Sequence, residues 1–198
     1  MSRFSRILAL ACWFVSASVG ADQVPATGKL LVATDEVRGP YFAKTVVLLL
    51  HHDENGTLGI VVNRPIEASA IESLLVNENI AAHRGSFYWG GPMSQSTLRA
   101  LLRTDTPPED AVQIFDAVHL VNVDEALLAT ASDAAKLRFF VGYAGWSSGQ
   151  LQHELSFDSW HILPATEELV FAEDTADIWR KLLRTQQYRA RLAPQRLH

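Results

Sequence analysis

FAKTVVLLLHHDENGTLGIVVNRP, residues 42–65, contains two apolar runs separated by the polar segment DENGT. Asn55-Gly56 within that segment is typical of a tight β-hairpin turn, so we expect two antiparallel strands here. Nearly every position in both runs is apolar, which predicts that other parts of the chain cover both faces of the hairpin. Pro65 is expected to end the second strand.

Further strands and short helices are predicted on both sides of the hairpin. Strand-like runs occur at 29–33, 86–93, 117–121, 137–144 and 160–165. Helices are expected at 69–75, 124–132, 148–155 and 175–188, whereas 96–104 fits either a strand or a helix. Strands and helices do not alternate regularly, so we predict an α+β fold with a mixed, mainly antiparallel sheet.

Residues 1–21 have the layout of a secretory signal peptide. Arg3 and Arg6 form a basic start, an apolar run covers 7–15, and small residues precede a cleavage point after Ala21. The run is shorter than the roughly 20 apolar residues that a transmembrane helix needs. We therefore expect export to the periplasm, with membrane contact only if this leader is retained.

The rest of the chain, 22–198, is expected to form one domain without cysteine chemistry. Cys12 is the single cysteine and lies in the leader, so the mature chain would have no disulfide, thiol nucleophile or cysteine zinc site. No cofactor is predicted.

The charge is unevenly distributed along the chain. Residues 22–179 hold nine basic and 22 acidic side chains, a net charge of −13, which disfavours nucleic acid as a partner. The amphipathic helix and tail at 175–198 carry six Lys and Arg with no acid from Arg180 onward. Nucleic-acid binding would have to rest on that tail alone.

GWSSG, residues 145–149, matches the G-x-S-x-G pattern that carries the nucleophile of many serine hydrolases. Such an enzyme needs an acid and then a histidine downstream, and Asp158 with His161 is the formally available pair. The alternative is a helix cap, in which Ser147 is the N-cap and Gln150 completes a capping box. We favour the cap over the nucleophile.

Four motifs together resemble the YqgE/AlgH family of bacterial proteins. They are TGKLLVAT (27–34), the hairpin stretch (42–65), FYWGGPM (87–93) and FFVGYAGWSSGQLQHEL (139–155). The resemblance covers residues 28–171, and it implies an α+β fold whose bent sheet forms a pseudo-barrel flanked by short helices. Family members are often labelled transcriptional regulators, and the resemblance implies no enzymatic activity.

This chain departs from the family pattern at several points. Ser147 and Ser148 fall on a variable pair, which argues further against a nucleophile. Gln152 stands where the family usually has glutamate, and Asp158 stands where it usually has glycine. Residues 94–110 do not match the usual segment after Gly-Gly-Pro.

His51-His52-Asp53-Glu54 looks like a metal cluster, but neighbouring residues of a strand point to opposite faces, so no metal site is predicted. Arg64 is the best ligand candidate, as an anion clamp or as the partner of a nearby acid. Tyr88, Trp89, Tyr143 and Trp146 could line a common aromatic surface or pack in the core. The candidate ligand or partner surface is Asn63, Arg64, Gly90, Gly91, Pro92, Tyr143, Trp146 and Gln150.

We therefore expect a non-enzymatic binding or regulatory protein, exported to the cell envelope, that recognises an unknown protein or small ligand. The alternative is a cytoplasmic transcriptional regulator, against which the leader and the acidic body argue. A serine hydrolase using Ser147 is the third and weakest interpretation.

Overall fold

The computed structural model describes residues 24–67, 69–71, 87–124, 127, 136–175 and 177–192. Its nine strands are β1 (Lys29–Ala33), β2 (Val46–Asp53), β3 (Gly56–Val61), β4 (Phe87–Trp89), β5 (Met93–Arg103), β6 (Val112–Phe115), β7 (Val118–Val121), β8 (Leu137–Ser147) and β9 (Trp160–Pro164). The helices are α1 (Gln150–Ser156), α2 (Glu167–Val170) and α3 (Ile178–Leu192). No helix in these ranges is long and apolar enough to cross a membrane.

The strands form one sheet in the order β6-β7-β5-β8-β3-β2-β1-β9, and β4 lies beside β8. Every neighbouring pair is antiparallel except β4 with β8, which is parallel. This confirms the predicted α+β class with a mixed, mainly antiparallel sheet.

The predicted hairpin is confirmed. β2 and β3 pair antiparallel up to Asp53 opposite Gly56. The Asp53 carboxylate closes the turn, because its Oδ1 accepts from the amides of Asn55 at 2.8 Å and Gly56 at 3.1 Å. A short side chain that bonds the backbone two or three residues on is a common way to stabilise such a turn.

The sheet is curled, so that the two ends of the strand order approach each other. The amide of Ala117, between β6 and β7, donates to Glu167 Oε1 in α2 at 3.2 Å, and α2 follows β9. The concave side encloses a core that includes Leu48, Leu101 and Phe140, each with no exposed surface. The curled sheet with short helices is the pseudo-barrel that the family resemblance implies.

Two further apolar clusters cover the outer side of the sheet. One lies over β1, β2, β3 and β8, where Trp146 and Trp160 pack against Leu151 of α1. The other contains Phe87 of β4 and Phe139 of β8, whose ring centroids are 5.2 Å apart. Both faces of the hairpin strands are therefore buried, as their apolar sequences predict.

Several elements differ from the prediction or extend it. Residues 98–102 belong to strand β5 rather than a helix, because they pair with 137–141 of β8. Strand β6 and helix α2 were not predicted, and α3 begins at Ile178 rather than at residue 175. Most of the helices predicted at 69–75 and 124–132, like the leader at 1–21 and the tail end at 193–198, lies outside the described residues.

Candidate functional site

Arg64 follows β3 and binds the loop that leads into β2. Its Nη1 donates to the carbonyl oxygen of Pro40 and its Nη2 to that of Ala43, both at 2.9 Å. The guanidinium carbon also lies 5.0 Å from the centroid of the Trp89 ring, within cation–π range. Partial burial lowers the pKa of Arg64, which nevertheless stays charged. Within the described residues the partners of Arg64 are backbone carbonyls and an indole ring rather than an acid, and its role as an anion clamp stays a prediction.

The loop held by Arg64 presents two aromatic rings to opposite environments. Phe42 packs against the tryptophan cluster on the outer side of the sheet, with its ring centroid 6.0 Å from those of both Trp146 and Trp160. Tyr41 is 53% exposed and stacks on Trp89, with centroids 6.2 Å apart and planes 13° apart. Because Phe42 anchors the loop, the exposed ring of Tyr41 is held in a defined position.

A cleft of about 330 Å³ adjoins Trp89 on the outer side of the sheet. Apolar side chains of Ile66, Ile71 and Val141 form part of its lining, and Gln95 and Ser96 of β5 add polar groups. A volume of this size suits a small ligand or one side chain of a partner. We call Tyr41, Arg64, Trp89 and this cleft the Trp89 surface.

Gly90 and Gly91 allow the chain to pack closely against β8. The amide of Gly90 donates to Val141 at 2.8 Å, and its carbonyl accepts from Val61 at 2.9 Å. A Cβ on Gly91 would lie 2.1 Å from the backbone carbon of Tyr143, so no side chain fits there. These contacts place Trp89 at the edge of the cleft, and the Pro92 carbonyl accepts from Gln95 Nε2 of the lining at 3.5 Å. The predicted ligand role of the two glycines has no support in this geometry.

Asn63 is buried and its side chain joins the start of β2. Its Oδ1 accepts from the amide of Val46 at 2.8 Å, and its Nδ2 donates to the carbonyl of Lys44 at 3.0 Å. Lys44 has φ of 60°, a conformation that non-glycine residues rarely adopt. The predicted ligand contact at Asn63 is therefore unsupported, because both ends of its amide already have backbone partners.

The turn before α1 differs from the predicted helix cap at Ser147. Gly149, with φ of 75°, is the N-cap of α1, and no side chain caps that end. Ser147 lies at the end of β8, where its amide and its hydroxyl both donate to Gln150 Oε1, at 3.1 and 3.2 Å. The Ser147–Gln150 pair thus exists, but it closes the turn instead of capping the helix.

Glu154 organises the tryptophan cluster beneath α1. Its Oε2 accepts from the indole nitrogens of Trp146 at 2.9 Å and Trp160 at 2.8 Å. Its Oε1 accepts from Gln150 Nε2 at 3.1 Å. Two predicted site residues, Trp146 and Gln150, are therefore brought together by a third that the sequence analysis did not single out. The spacing of four between Gln150 and Glu154 on one helix was the available signal.

The four aromatic residues considered for one surface lie on two faces of the sheet. Trp89 and Trp146 share the outer side through Phe42. Tyr88 packs in the concave core, where its ring centroid is 5.6 Å from that of Phe140. Tyr143 also adjoins that core, with Arg99 at 4.5 Å from its ring. Alternation along β4 separates Tyr88 from Trp89, so the four residues do not share one surface, and for Tyr88 the alternative of core packing is confirmed.

A buried arginine inside the curled sheet was not predicted. Arg138 is 5% exposed and donates to the carbonyl oxygens of Val170, at 2.8 Å, and Ala172. Its guanidinium carbon lies 4.6 Å from the ring centroid of Tyr88. Desolvation by burial lowers the pKa of Arg138 and raises that of Tyr88. Arg138 joins the sheet to the segment after α2.

The two histidines of the hairpin have different partners. His51 Nε2 lies 3.1 Å from Asp53 Oδ2, whereas His52 Nδ1 lies 2.7 Å from Thr57 Oγ1. The described part of the chain contains no group of three or more His, Cys, Asp or Glu side chains placed to hold a metal ion.

Comparison with known proteins supports the fold and the motifs. A family profile described as AlgH-like matches residues 30–191. A UPF0301 protein of Mycobacterium leprae is 36% identical over 166 residues, which cover 80% of this chain and 81% of the relative. One from Streptomyces avermitilis is 34% identical over 166 residues, covering 81% of this chain and 86% of the relative.

Two solved structures share the architecture. The solution structure of the AlgH protein of Pseudomonas aeruginosa superposes with a TM-score of 0.63 at 25% identity, covering 84% of this chain and 88% of that one. The crystal structure of a Corynebacterium diphtheriae protein superposes with a TM-score of 0.66 at 23% identity, covering 82% and 88%. From the profile match over most of its length and the relatives above 30% identity, the chain belongs to the AlgH-like family.

Proposed function

We propose that this protein is a non-enzymatic binding protein of the cell envelope that holds a partner protein or small ligand on the Trp89 surface. The observation that carries the proposal is the stacked Tyr41–Trp89 pair. The Tyr41 ring is exposed, and the guanidinium of Arg64 contacts the Trp89 ring. Rigid aromatic side chains bind with little loss of conformational entropy, which is why they dominate interface energies.

The cleft adds a concave binding site to the exposed aromatic pair. Trp89 belongs to the stacked pair and also lines the cleft, so a ligand stacked against Tyr41 could extend over Trp89 into the apolar part of the cleft. Gln95 and Ser96 at its rim supply hydrogen-bonding groups that would orient the ligand.

The non-enzymatic part of the proposal rests on Ser147. Its hydroxyl donates to Gln150 Oε1, so the described geometry pairs it with an amide rather than with the histidine that a nucleophile requires. A panel of ester substrates tests this point. We expect Ser147→Ala to leave any hydrolysis at the wild-type rate, and a loss specific to that variant would make the protein an enzyme.

The envelope part of the proposal rests on the signal-like leader. Cell fractionation and the N-terminal sequence of the mature protein test it. We expect a chain that begins at Asp22 in the periplasmic fraction. Intact Met1 or Ser2 on a cytoplasmic protein would contradict export and favour the regulator alternative.

Native mass spectrometry of the protein isolated from its own cells tests the binding part. We expect bound material on the wild type that is lost from Tyr41→Ala and retained by Phe157→Ala. Phe157 is the matched control because it is a 65% exposed ring on another part of the surface. Equal retention by both variants would remove the Trp89 surface as the binding site.

A further inference from the structure

A second cleft, separate from the Trp89 surface, lies at the far edge of the sheet. Its volume is about 230 Å³, and it lies between the segment after β5 and the β6–β7 turn. The lining includes Thr104, Asp105, Pro107, Gln113, Asp116 and His119. None of these described lining residues is a lysine or arginine, so the fixed charge around the cleft is negative.

His119 lines the cleft, and its Nε2 has no hydrogen-bond partner within the described residues. Its side chain is 6% exposed, and its Nδ1 lies 3.0 Å from the carbonyl oxygen of Ala117. A carbonyl can only accept, so Nδ1 carries the proton, and Nε2 of the neutral ring is an acceptor. Nε2 itself is not fully buried, so it can accept a hydrogen bond from a donor that enters the cleft.

The other polar groups of the cleft also offer acceptors. Gln113 lies opposite His119 in the β6–β7 pairing, and its Nε2 donates to the Asp116 carbonyl at 2.7 Å. That bond uses one of the two N–H donors of the amide, and Oε1 is an acceptor. Asp105 and Asp116 add carboxylate oxygens.

We propose that the His119 cleft binds the end of a primary alkylamine, with its ammonium group among His119, Gln113 and the two aspartates. A primary ammonium has three donors, no acceptor and a positive charge, and so complements the two carboxylates and the His119 and Gln113 acceptors of this cleft. Pro107 offers an apolar contact for the adjoining methylene groups. This site does not depend on the proposed function of the Trp89 surface.

Titration with 1-butylamine, followed by NMR of the His119 ring, tests the proposal. At pH 8 a free imidazole is neutral and an alkylamine is protonated. We expect a saturable shift of the His119 resonances. Tetramethylammonium has the same charge and no N–H group, so we expect it to bind at least tenfold more weakly. An equal response to both cations, or no saturable response to butylamine, would overturn the proposal.

Variants separate this site from general attraction to an acidic surface. We expect the double variant Asp105→Asn, Asp116→Asn to weaken butylamine binding at least tenfold, while the matched control Asp35→Asn leaves it unchanged. Asp116 has φ of 41°, which asparagine tolerates, and all three side chains are exposed, so the variants should fold. Equal weakening in the control would show attraction to the surface charge alone and overturn the proposal.

Discussion

Arg64, which follows β3, and Trp89, at the end of β4, are joined by a cation–π contact of 5.0 Å. The two segments also share a backbone hydrogen bond, because the Trp89 amide donates to the Arg64 carbonyl at 2.8 Å. The same guanidinium binds the loop that carries Tyr41. Arg64 therefore holds Trp89 and the loop of Tyr41 in place, and under the proposed function the rings of Tyr41 and Trp89 contact the ligand.

Arg64→Lys tests this supporting role. A lysine ammonium cannot span both loop carbonyls in the planar geometry of a guanidinium, so we expect a loss of about 1–3 kcal/mol in the free energy of unfolding. Urea unfolding measures it. Arg38→Lys, at an exposed position of the same loop, should change stability by less than about 0.5 kcal/mol. Equal stabilities of wild type and Arg64→Lys would contradict the role.

Gly91→Ala tests the close approach between the Gly-Gly-Pro turn and β8. The new Cβ would lie 2.1 Å from backbone carbon of Tyr143, so we expect a loss of about 4 kcal/mol or more, or failure to fold. The matched control is Gly149→Ala, where φ is also positive at 75° but no atom lies within 4 Å. Only the cost of the left-handed conformation, about 1–2 kcal/mol, should appear there. Similar losses of stability in both variants would contradict the close approach of Gly91 to the backbone of Tyr143.

Glu154→Ala tests the carboxylate of α1 that accepts from the two tryptophans. Removing it leaves the indole nitrogens of two tryptophans without their acceptor, and these residues are only 5–6% exposed. We expect a loss of about 2–4 kcal/mol and a red shift of tryptophan fluorescence as water enters. Glu154→Gln keeps one oxygen acceptor and should lose less. If Glu154→Ala unfolds at the same urea concentration as wild type, the network does not stabilise the fold.

Asp53 at the hairpin turn should titrate at unusually low pH. The bond from His51, followed by those from Asn55, lowers the pKa of Asp53 to about 2. Because the folded pKa is lower than that of the unfolded chain, ionised Asp53 stabilises the fold above about pH 4, and this contribution disappears as the pH falls toward 2. NMR titration of the carboxyl carbon measures the pKa directly. We expect His51→Gln to raise it, and an unchanged value would exclude His51 as the main cause.

The local parts of the fold could be predicted from the sequence. The hairpin turn follows from Asn55-Gly56, and the buried strands follow from uninterrupted apolar runs. The parallel pairing of β4 with β8 could not be predicted, because it depends on contacts between residues about 50 positions apart. The same holds for β6, whose four-residue strand has a weak pattern of its own.

The candidate site was predicted in part. Arg64 was singled out because an arginine ending an apolar strand stands out in the sequence, whereas Trp89 and Tyr41 were not among the predicted site residues. Their partners, the carbonyls of Pro40 and Ala43, carry no side-chain signal and could not be found. The Ser147 cap was wrong because Gly149 takes a left-handed conformation, which starts the helix after Ser147 instead of at it.

Photo-cross-linking from position 41 in living cells tests the Trp89 surface most directly. Benzoylphenylalanine replaces Tyr41, and a second strain carries it at the exposed ring of Phe157 as the control. Intact-mass measurement after irradiation detects an attached protein or small molecule alike. We predict a discrete adduct from position 41 that is absent from position 157. No adduct from position 41, or the same adducts from both positions, would contradict a binding site on the Trp89 surface.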